Sequence, residues 1–241
     1  MPRKTKVAEP ILKEEKKINL KPVERSLLKV ELVGMGELIL NKKSRSYELD
    51  SAWANQNKNV KGAVRPPELM QPYNSWEKLI TSVHWRDPII YHDEDWSKYT
   101  KEEWEGYMNN NAPCVCMEAI RGSIHEAFKT FHYHERTDGL DWTDFERTIS
   151  FTQNKFPITF ASVKFEQDLV NLKRSGCALA EHNVFSGWSC KVSLVFVDSV
   201  IPVNTILDIL NTAGICVGIH TQRKNGYGRF QIGDSEVVRI E

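Results

Sequence analysis

Long hydrophobic runs and paired cysteines are missing from this sequence, and both absences exclude classes of protein. No apolar run reaches the roughly 18–20 residues that a membrane-spanning helix needs. The five cysteines are an odd number without a signal peptide, and Cys114 and Cys116 are too close together for the usual zinc-binding pair. We therefore expect free thiols, a reduced cytoplasmic location and no contact with a membrane.

The motifs of common cofactor and catalytic sites are also missing. The chain has no phosphate-binding P-loop, no dinucleotide-binding glycine pattern after a strand and no zincin helix motif. Asp168, Glu181 and His182 form no recognisable triad or carboxylate pair. We therefore expect no cofactor, no metal and no catalytic residue, and we predict binding without turnover.

An excess of charge of either sign is absent from the chain as a whole. Its 32 Lys and Arg residues balance 32 Asp and Glu residues, so only local charge can indicate a polyanionic partner. Residues 1–25 hold eight Lys or Arg against four Glu, whereas residues 86–105 are rich in acids. The first segment is predicted to be a disordered basic arm, and the second a solvated face.

Hydrophobic periodicity predicts one domain over residues 26–241. Leu28, Val30 and Leu32 alternate with charged residues, as in a half-buried strand. The other predicted elements are an insertion at about 41–110, a helix entered by Pro113, strands within 147–172 and at 191–197, a helix from Pro202 to Gly214, and a closing strand from Arg229. Without the insertions this is a βαββαβ outline, which predicts an α+β fold with a ferredoxin-like or RRM-like sheet and helices on one face.

The start of the insertion combines basic and aromatic residues. Residues 41–75 lack a sustained period and are predicted to form a long loop or insertion. Lys42, Lys43 and Arg45 follow the first strand, and Trp53 and Tyr73 lie further along. Aromatic rings among basic residues are typical of base stacking, although isolated rings also pin loops to a protein body. Both interpretations stay open.

The last third of the chain contains a basic glycine-rich segment. Four glycines fall within fifteen positions, and no acid lies between Asp208 and Asp234. The glycines are Gly214, Gly218, Gly226 and Gly228, and their basic and aromatic neighbours are His220, Arg223, Lys224, Tyr227 and Arg229. Glycine lets a phosphate approach the backbone closely, so the segment suits a polyanion. A tight turn before an edge strand, with Tyr227 covering the core, is the alternative.

These features resemble the repeat-associated mysterious protein (RAMP) superfamily, whose backbone subunits coat guide RNA in CRISPR effector complexes. The resemblance rests on the strand and glycine turn at 30–36, the helix sequence at 119–124, and the Gly218, Gly226, Gly228 and Arg229-Phe230 pattern. The C-terminal pattern is also similar to that of uncharacterised phage-encoded proteins. This chain departs from the superfamily at residues 220–222, where further glycines are common.

The resemblance implies a non-enzymatic protein that binds a nucleic-acid single strand, with RNA expected ahead of DNA, and that assembles side by side along the strand. We expect the protein to be encoded by a phage and to lie in the host cytoplasm. The predicted contacts are Lys42, Lys43, Arg45, Arg121, Lys129, His220, Arg223, Lys224, Gly226, Tyr227, Gly228 and Arg229. Binding is expected to weaken as salt rises, because phosphate contacts release counterions.

Two other function classes stay open. A structural or protein-interaction subunit, either a homo-oligomer or a component or inhibitor of a host complex, fits the neutral net charge and the acidic segment 86–105. A metal-independent endoribonuclease would need a general base, for which His125, His132 and His220 are candidates. A metal site at His132 and His134 would need two further ligands.

Overall fold

The computed structural model describes residues 24–137, 139–172 and 176–240. Residues 1–23, which make up most of the predicted basic arm, lie outside the described residues. The strands are β1 (Arg25–Gly34), β2 (Leu38–Leu40), β3 (Cys114–Cys116), β4 (Ile149–Phe151), β5 (Lys155–Thr159), β6 (Ser162–Leu172), β7 (Gly176–Ser186), β8 (Ser189–Val197) and β9 (Phe230–Ile240). The helices are α1 (Arg45–Gln56), α2 (Ser75–Thr81), α3 (Lys101–Asn110), α4 (Met117–Thr130), α5 (Tyr133–Arg136), α6 (Trp142–Thr148) and α7 (Val203–Thr212).

The main sheet has the strand order β3-β5-β8-β1-β9, and β4 also pairs with β8. Strand β1 lies antiparallel to both β8 and β9. Helix α4 lies in the connection from β1 to β4 and β5, and α7 connects β8 to β9. This is the order of a βαββαβ ferredoxin-like sheet, and the predicted α+β fold is confirmed.

One face of the main sheet forms the core. Leu28, Val30 and Leu32 of β1 are buried, whereas the intervening Lys29 is exposed. Ile124 of α4 belongs to the same hydrophobic cluster as these leucines. Burial of apolar surface contributes about 25 cal/mol per Å², so the alternation along β1 decides which face the helices cover.

The predicted loop at 41–75 contains helix α1, which has no buried residue. The sequence of α1 therefore shows no apolar stripe that would predict a helix. Side chains of α2 hold its N-terminus in place of buried apolar contacts. The backbone N–H of Arg45 donates to Thr81 at 2.9 Å, and that of Ser46 donates to the Glu77 carboxylate at 2.9 Å. These bonds satisfy amides that a helix start leaves without intrahelical partners. The prediction of a loop is therefore wrong for residues 45–56, because these residues form α1.

A second sheet, ordered β2-β7-β6, joins the insertion to the main body. The insertion has its own small cluster of buried side chains, formed by Leu79, Ile80, Trp96, Tyr99 and Trp104. Asn183 of β7 accepts a hydrogen bond from Trp104 Nε1 at 2.8 Å and donates to the Leu79 carbonyl at 2.7 Å. These two bonds hold α2 and α3 against β7.

Candidate nucleic-acid interface

The glycine segment forms a close backbone packing between the end of α7 and β9. After α7 the chain continues as a π-helical turn at Ala213–Val217. A Cβ atom at Gly214 would lie 2.3 Å from the Phe230 carbonyl oxygen, and one at Gly228 would lie 2.1 Å from the Ile219 carbonyl oxygen. Gly228 also has a φ of +69°. These two positions need glycine to allow the fold itself to close.

The amide groups of this segment donate within the protein. The N–H of Gly218 bonds to the Ala213 carbonyl at 2.8 Å, and the N–H of Gly226 bonds to the Arg223 carbonyl at 3.1 Å. The N–H of Gly228 donates to the Glu37 carbonyl at 2.8 Å. A phosphate cradle needs amides that point outward, and these three amides are already used.

Two cations of the segment have protein partners. Arg223 lies 2.9 Å from the Glu126 carboxylate of α4, and Arg229 donates to the Ile215 carbonyl at 2.9 Å. Lys224 is exposed and has no ion pair among the described residues. Lys224 is therefore the cation of the segment that is best placed to meet a ligand.

Tyr227 lies in an acidic setting. Its hydroxyl donates to Glu166 at 3.4 Å, and Lys164 bridges Glu166 and Glu37 at 2.6 and 2.8 Å. Hydrogen bonds to the two carboxylates raise the pKa of Lys164. Two carboxylates and one ammonium give this side of the segment a net negative charge.

Of the other predicted cations, Arg121 and Lys129 lie on α4, and Arg45 is the first residue of α1. Arg121 pairs with Glu146 beside a cavity of about 350 Å³, and Lys129 is exposed on α4. Arg45 donates to both oxygens of Asp93, at 3.0 and 3.1 Å from its Nε. The hydrogen bond to Asp93 raises the pKa of Arg45. The charge of Arg45 is therefore paired with that of Asp93, another residue of the insertion.

His220 lies beside His84, with ring centroids 6.4 Å apart. Burial, followed by the neighbouring His84, lowers the pKa of His220 to about 3, and its Nε2 has no hydrogen-bond partner among the described residues. Its ring is therefore neutral at neutral pH. His220 is a half-buried neighbour of His84 and contributes no positive charge of its own.

A basic cleft lies between the end of β2, α2 and β7. Its volume is about 580 Å³. The lining residues are Asn41, Lys42, Lys43, Ser44, Tyr47, Lys78, Ser82, Ala180, Glu181 and His182. We call it the lysine cleft because three of these ten residues are lysines. It contains Lys42 and Lys43, two of the predicted contacts.

Two tyrosines accompany the lysines of this cleft. The Lys43 ammonium lies 5.3 Å from the ring centroid of Tyr47, and the Lys78 ammonium lies 5.4 Å from that of Tyr73. Tyr47 is 55% exposed and Tyr73 is 60% exposed. Each pair is a cation–π contact on a ring that solvent reaches, which is the arrangement that single strands use for stacking.

The acid of the cleft is held by neighbouring donors. Glu181 is buried and accepts hydrogen bonds from Tyr73, from Ser75 at 2.8 Å and from Gln167 at 2.7 Å. Burial raises the pKa of Glu181 and lowers that of Lys78. The lining holds three lysines against this one acid, so the lysines dominate the charge that a ligand meets.

Sequence reasoning missed Tyr47, Lys78 and His182. Lys78 lies in a short helix whose neighbours Leu79 and Ile80 are buried, and nothing in its spacing separates it from an ordinary solvated lysine. His182 is 40 positions from Gln222, although their side chains are 3.2 Å apart. Tyr47 could have been found, because it lies two positions after the basic run at 42–45.

The open face of the main sheet differs from that of an RNA-binding RRM. Its described residues in β1 and β8 include Lys29, Glu31, Lys191 and Ser193, which line a pocket of mixed charge. None of the described residues on this face of β1, β8 and β9 is aromatic. RRM domains stack bases on aromatic side chains of the sheet, so the lysine cleft is the better candidate.

One group of side chains could hold a metal ion. His132, His134 and Glu135 bring ligand atoms within 4.8 Å of one another, and all three are exposed.

The thiols of Cys114, Cys116, Cys190 and Cys216 are free, whereas the Cys177 side chain lies outside the part of the chain that is described. Within the described residues, each helix is too short or too polar to span a membrane.

Comparisons with known proteins give a distant similarity of fold. No protein-family model and no curated protein matches the chain. The structure is similar to a chain in the cryo-EM structure of the Type III-B Cmr-beta bound to cognate target RNA, with a TM-score of 0.45 and 15% sequence identity. The similarity covers 90% of this chain and 61% of that chain, so this chain spans less than two thirds of its length. Membership of the RAMP superfamily stays a prediction.

Proposed function

We propose that this protein binds single-stranded nucleic acid, RNA in preference to DNA, without catalytic turnover. The observation that carries the proposal is the lysine cleft, where three lysines and the exposed Tyr47 line a space of about 580 Å³ and the exposed Tyr73 contacts Lys78. Ammonium groups bind phosphates as point charges, and aromatic rings stack on bases of any sequence. The cleft therefore suits a strand recognised with little sequence preference.

The proposal ranks the twelve predicted contacts. Lys42 and Lys43 line the cleft and bind the strand directly, together with Lys78. Lys129 and Lys224 are exposed and act as weaker, peripheral attractions. The other eight residues are four partnered arginines, His220, Tyr227 and the two glycines, and they serve chiefly to build and hold the fold. The preference for RNA, RAMP membership, a phage origin and assembly along the strand rest on the resemblance described above.

The absence of turnover is part of the proposal. A general base is most effective when its pKa lies near the working pH. The pKa of His220 is about 3, and burial lowers the pKa of His125, which stacks on Trp142 at 4.4 Å. Both observations argue against the endoribonuclease hypothesis. Incubation of labelled RNA with stoichiometric protein for hours should leave the RNA intact, and cleavage that follows the protein through purification would contradict this part.

A structural role is the second candidate, and the edge strand β9 favours it. Strand β9 lies at the end of the main sheet, and its Val237, Val238 and Ile240 are exposed. Edge strands with exposed apolar side chains pair readily with other chains. Light scattering after size exclusion, with and without RNase, separates the two functions: oligomers that survive RNase and carry no nucleic acid favour the structural role.

The test of the proposed function is binding of a fluorescently labelled oligouridylate of about 30 nucleotides, followed by anisotropy. We expect affinity to fall steeply between about 50 and 200 mM salt, because bound lysines release counterions. The variant Lys42→Gln/Lys43→Gln should lose about tenfold in affinity and lower the salt slope by about 0.7 per lost contact.

The matched control is Lys29→Gln/Lys191→Gln, which removes the same charge from the open face of the main sheet. We expect it to bind within about twofold of the unchanged protein, because rim and distant charges contribute little at moderate salt. Absence of binding at micromolar protein, or equal losses in both double variants, would refute the proposal.

A further inference from the structure

A second basic pocket shares Lys42 with the lysine cleft. It has a volume of about 230 Å³. Its lining residues are Lys42, Val83, His84, Trp85, Arg86, Asp87, Pro88, Ile89, Tyr91 and Lys155. We call it the Lys155 pocket, since Lys155 belongs to it and not to the lysine cleft. The side chain of Lys42 thus lies between two concave basic surfaces.

Backbone contacts fix both lysines of this pocket. The N–H of Lys42 donates to the Ser82 carbonyl at 2.8 Å, two residues before His84. Lys155, the first residue of β5, donates its ammonium to the Trp85 carbonyl at 2.8 Å. An ammonium has three donors, so this bond leaves two for a ligand. The isolated bridge between Trp85 and Pro113 holds this segment against the residues next to β3.

Little acid compensates these charges inside the pocket. Asp87 is bound by Arg86, whose Nε and Nη2 lie 3.0 and 2.9 Å from one carboxylate oxygen. The charges of Lys42 and Lys155 are therefore the net charge that an entering group meets. Among the described residues neither lysine has an ion pair.

His84 reports the positive potential of the pocket. Its pKa is lowered first by burial and then by the charges of Lys42 and Lys155, whereas Glu118 and Glu48 act in the opposite direction. An anion placed between the two lysines would offset their effect and accept a hydrogen bond from the imidazole. A phosphate oxygen has the charge and the acceptor capacity for this position.

We propose that the Lys155 pocket binds a phosphate of the strand that leaves the lysine cleft, so that Lys42 serves two successive phosphate subsites. This inference rests on the proposed function and extends it, because it assigns the direction in which the strand runs, from α1 past His84 to the start of β5. It also assigns contacts to His84 and Lys155, neither of which the sequence indicated.

A length series of oligouridylates tests the extension. Short oligomers that fill only the lysine cleft should bind the variant Lys155→Gln as well as they bind the unchanged protein. Longer oligomers that reach the second pocket should bind Lys155→Gln about three- to fivefold more weakly, the effect of one lost phosphate contact. Lys155→Gln keeps a donor for the Trp85 carbonyl, and Lys155→Arg should restore the affinity.

Lys191→Gln is the matched control, because it removes one lysine charge from another strand of the same sheet. Equal affinities of Lys155→Gln and Lys191→Gln at every length would overturn the inference while leaving the proposed function intact. A length-independent loss in Lys155→Gln would also overturn it, since the pocket would then act by general charge alone.

A second measurement is independent of strand binding. NMR titration of the His84 imidazole with and without inorganic phosphate should show a higher pKa with phosphate, and Lys155→Gln should abolish the difference. If no oligomer binds and His84 still responds to phosphate, the proposed function fails and the anion pocket stands. An unchanged His84 titration would refute the pocket.

Discussion

The glycine segment and the lysine cleft are both basic in sequence, and they differ in what their polar groups contact. In the glycine segment, amides bond to carbonyls of the same protein, and Arg223 is neutralised by Glu126. In the lysine cleft, three lysines face a single acid, Glu181, which accepts hydrogen bonds from three neighbouring side chains. Charge along a sequence is therefore a weak guide to charge on a surface, because distant acids decide which cations remain available.

The largest effect that sharpens this comparison is expected on stability, at Gly228. Alanine there would place a Cβ atom 2.1 Å from the Ile219 carbonyl oxygen at a φ of +69°. We expect Gly228→Ala to lower the free energy of unfolding by about 4 kcal/mol or more, as a clash with buried backbone and a left-handed conformation combine. Urea denaturation measures the loss.

Gly226→Ala is the control within the same segment. No atom lies within 4 Å of a Cβ at Gly226, although its φ of +91° still disfavours alanine. A loss of about 1–2 kcal/mol is expected from that conformation alone. If the two variants are equally stable and Gly228→Ala loses only nucleic-acid affinity, the segment is a phosphate cradle after all and our structural assignment is wrong.

A smaller effect is expected at the junction of the two regions, where His220 lies beside His84. Because folding lowers the pKa of His220 from 6.5 to about 3, the unfolded chain binds more protons between these values. His220 thus opposes unfolding fully above pH 6.5, and this contribution is lost as pH falls below it, by up to about 1.4 kcal/mol per pH unit.

The comparison variant is His220→Asn, because asparagine tolerates the left-handed backbone at this position, where φ is +60°. Between about pH 7 and pH 5.5, the unchanged protein should lose about 1 kcal/mol more of its unfolding free energy than the variant. The carboxylates titrate in both proteins and cancel. Parallel pH curves for the two proteins would mean that His220 is accessible to protons in the folded state.

The fold was predictable where the hydrophobic period is strong. The alternation at Leu28, Val30 and Leu32, the period of α4 and the apolar run at 191–197 gave the βαββαβ order that the main sheet has. The helix expected from Pro113 begins at Met117, because Cys114–Cys116 pair with β5 as a short strand. That pairing depends on a partner some forty residues away, and such contacts leave no local period.

The candidate site was predictable only in part, because its residues come from separate segments. Lys42 and Lys43 stood out as a local basic run, whereas Lys78 and His182 reach the cleft only through the packing of α2 on β7. Helix α1 escaped prediction because side chains of α2, not buried apolar residues, hold its start. The local sequence shows only the composition of the insertion. The hydrogen bonds that organise the insertion join residues that are far apart in the chain.

The smallest expected effect is on nucleic-acid affinity, and it tests whether the strand contacts the lysine cleft rather than the glycine segment. Arg223→Gln/Lys224→Gln removes two charges from the glycine segment, the same number as the cleft variant Lys42→Gln/Lys43→Gln. Arg223 is already paired at 2.9 Å, and Lys224 is an exposed side chain outside the cleft, so we expect affinity for the oligouridylate to fall by less than about twofold. Anisotropy titrations of both variants at the same salt give the ratio directly. A loss of tenfold or more would move the strand onto the glycine segment, since only direct phosphate contacts cost that much at moderate ionic strength.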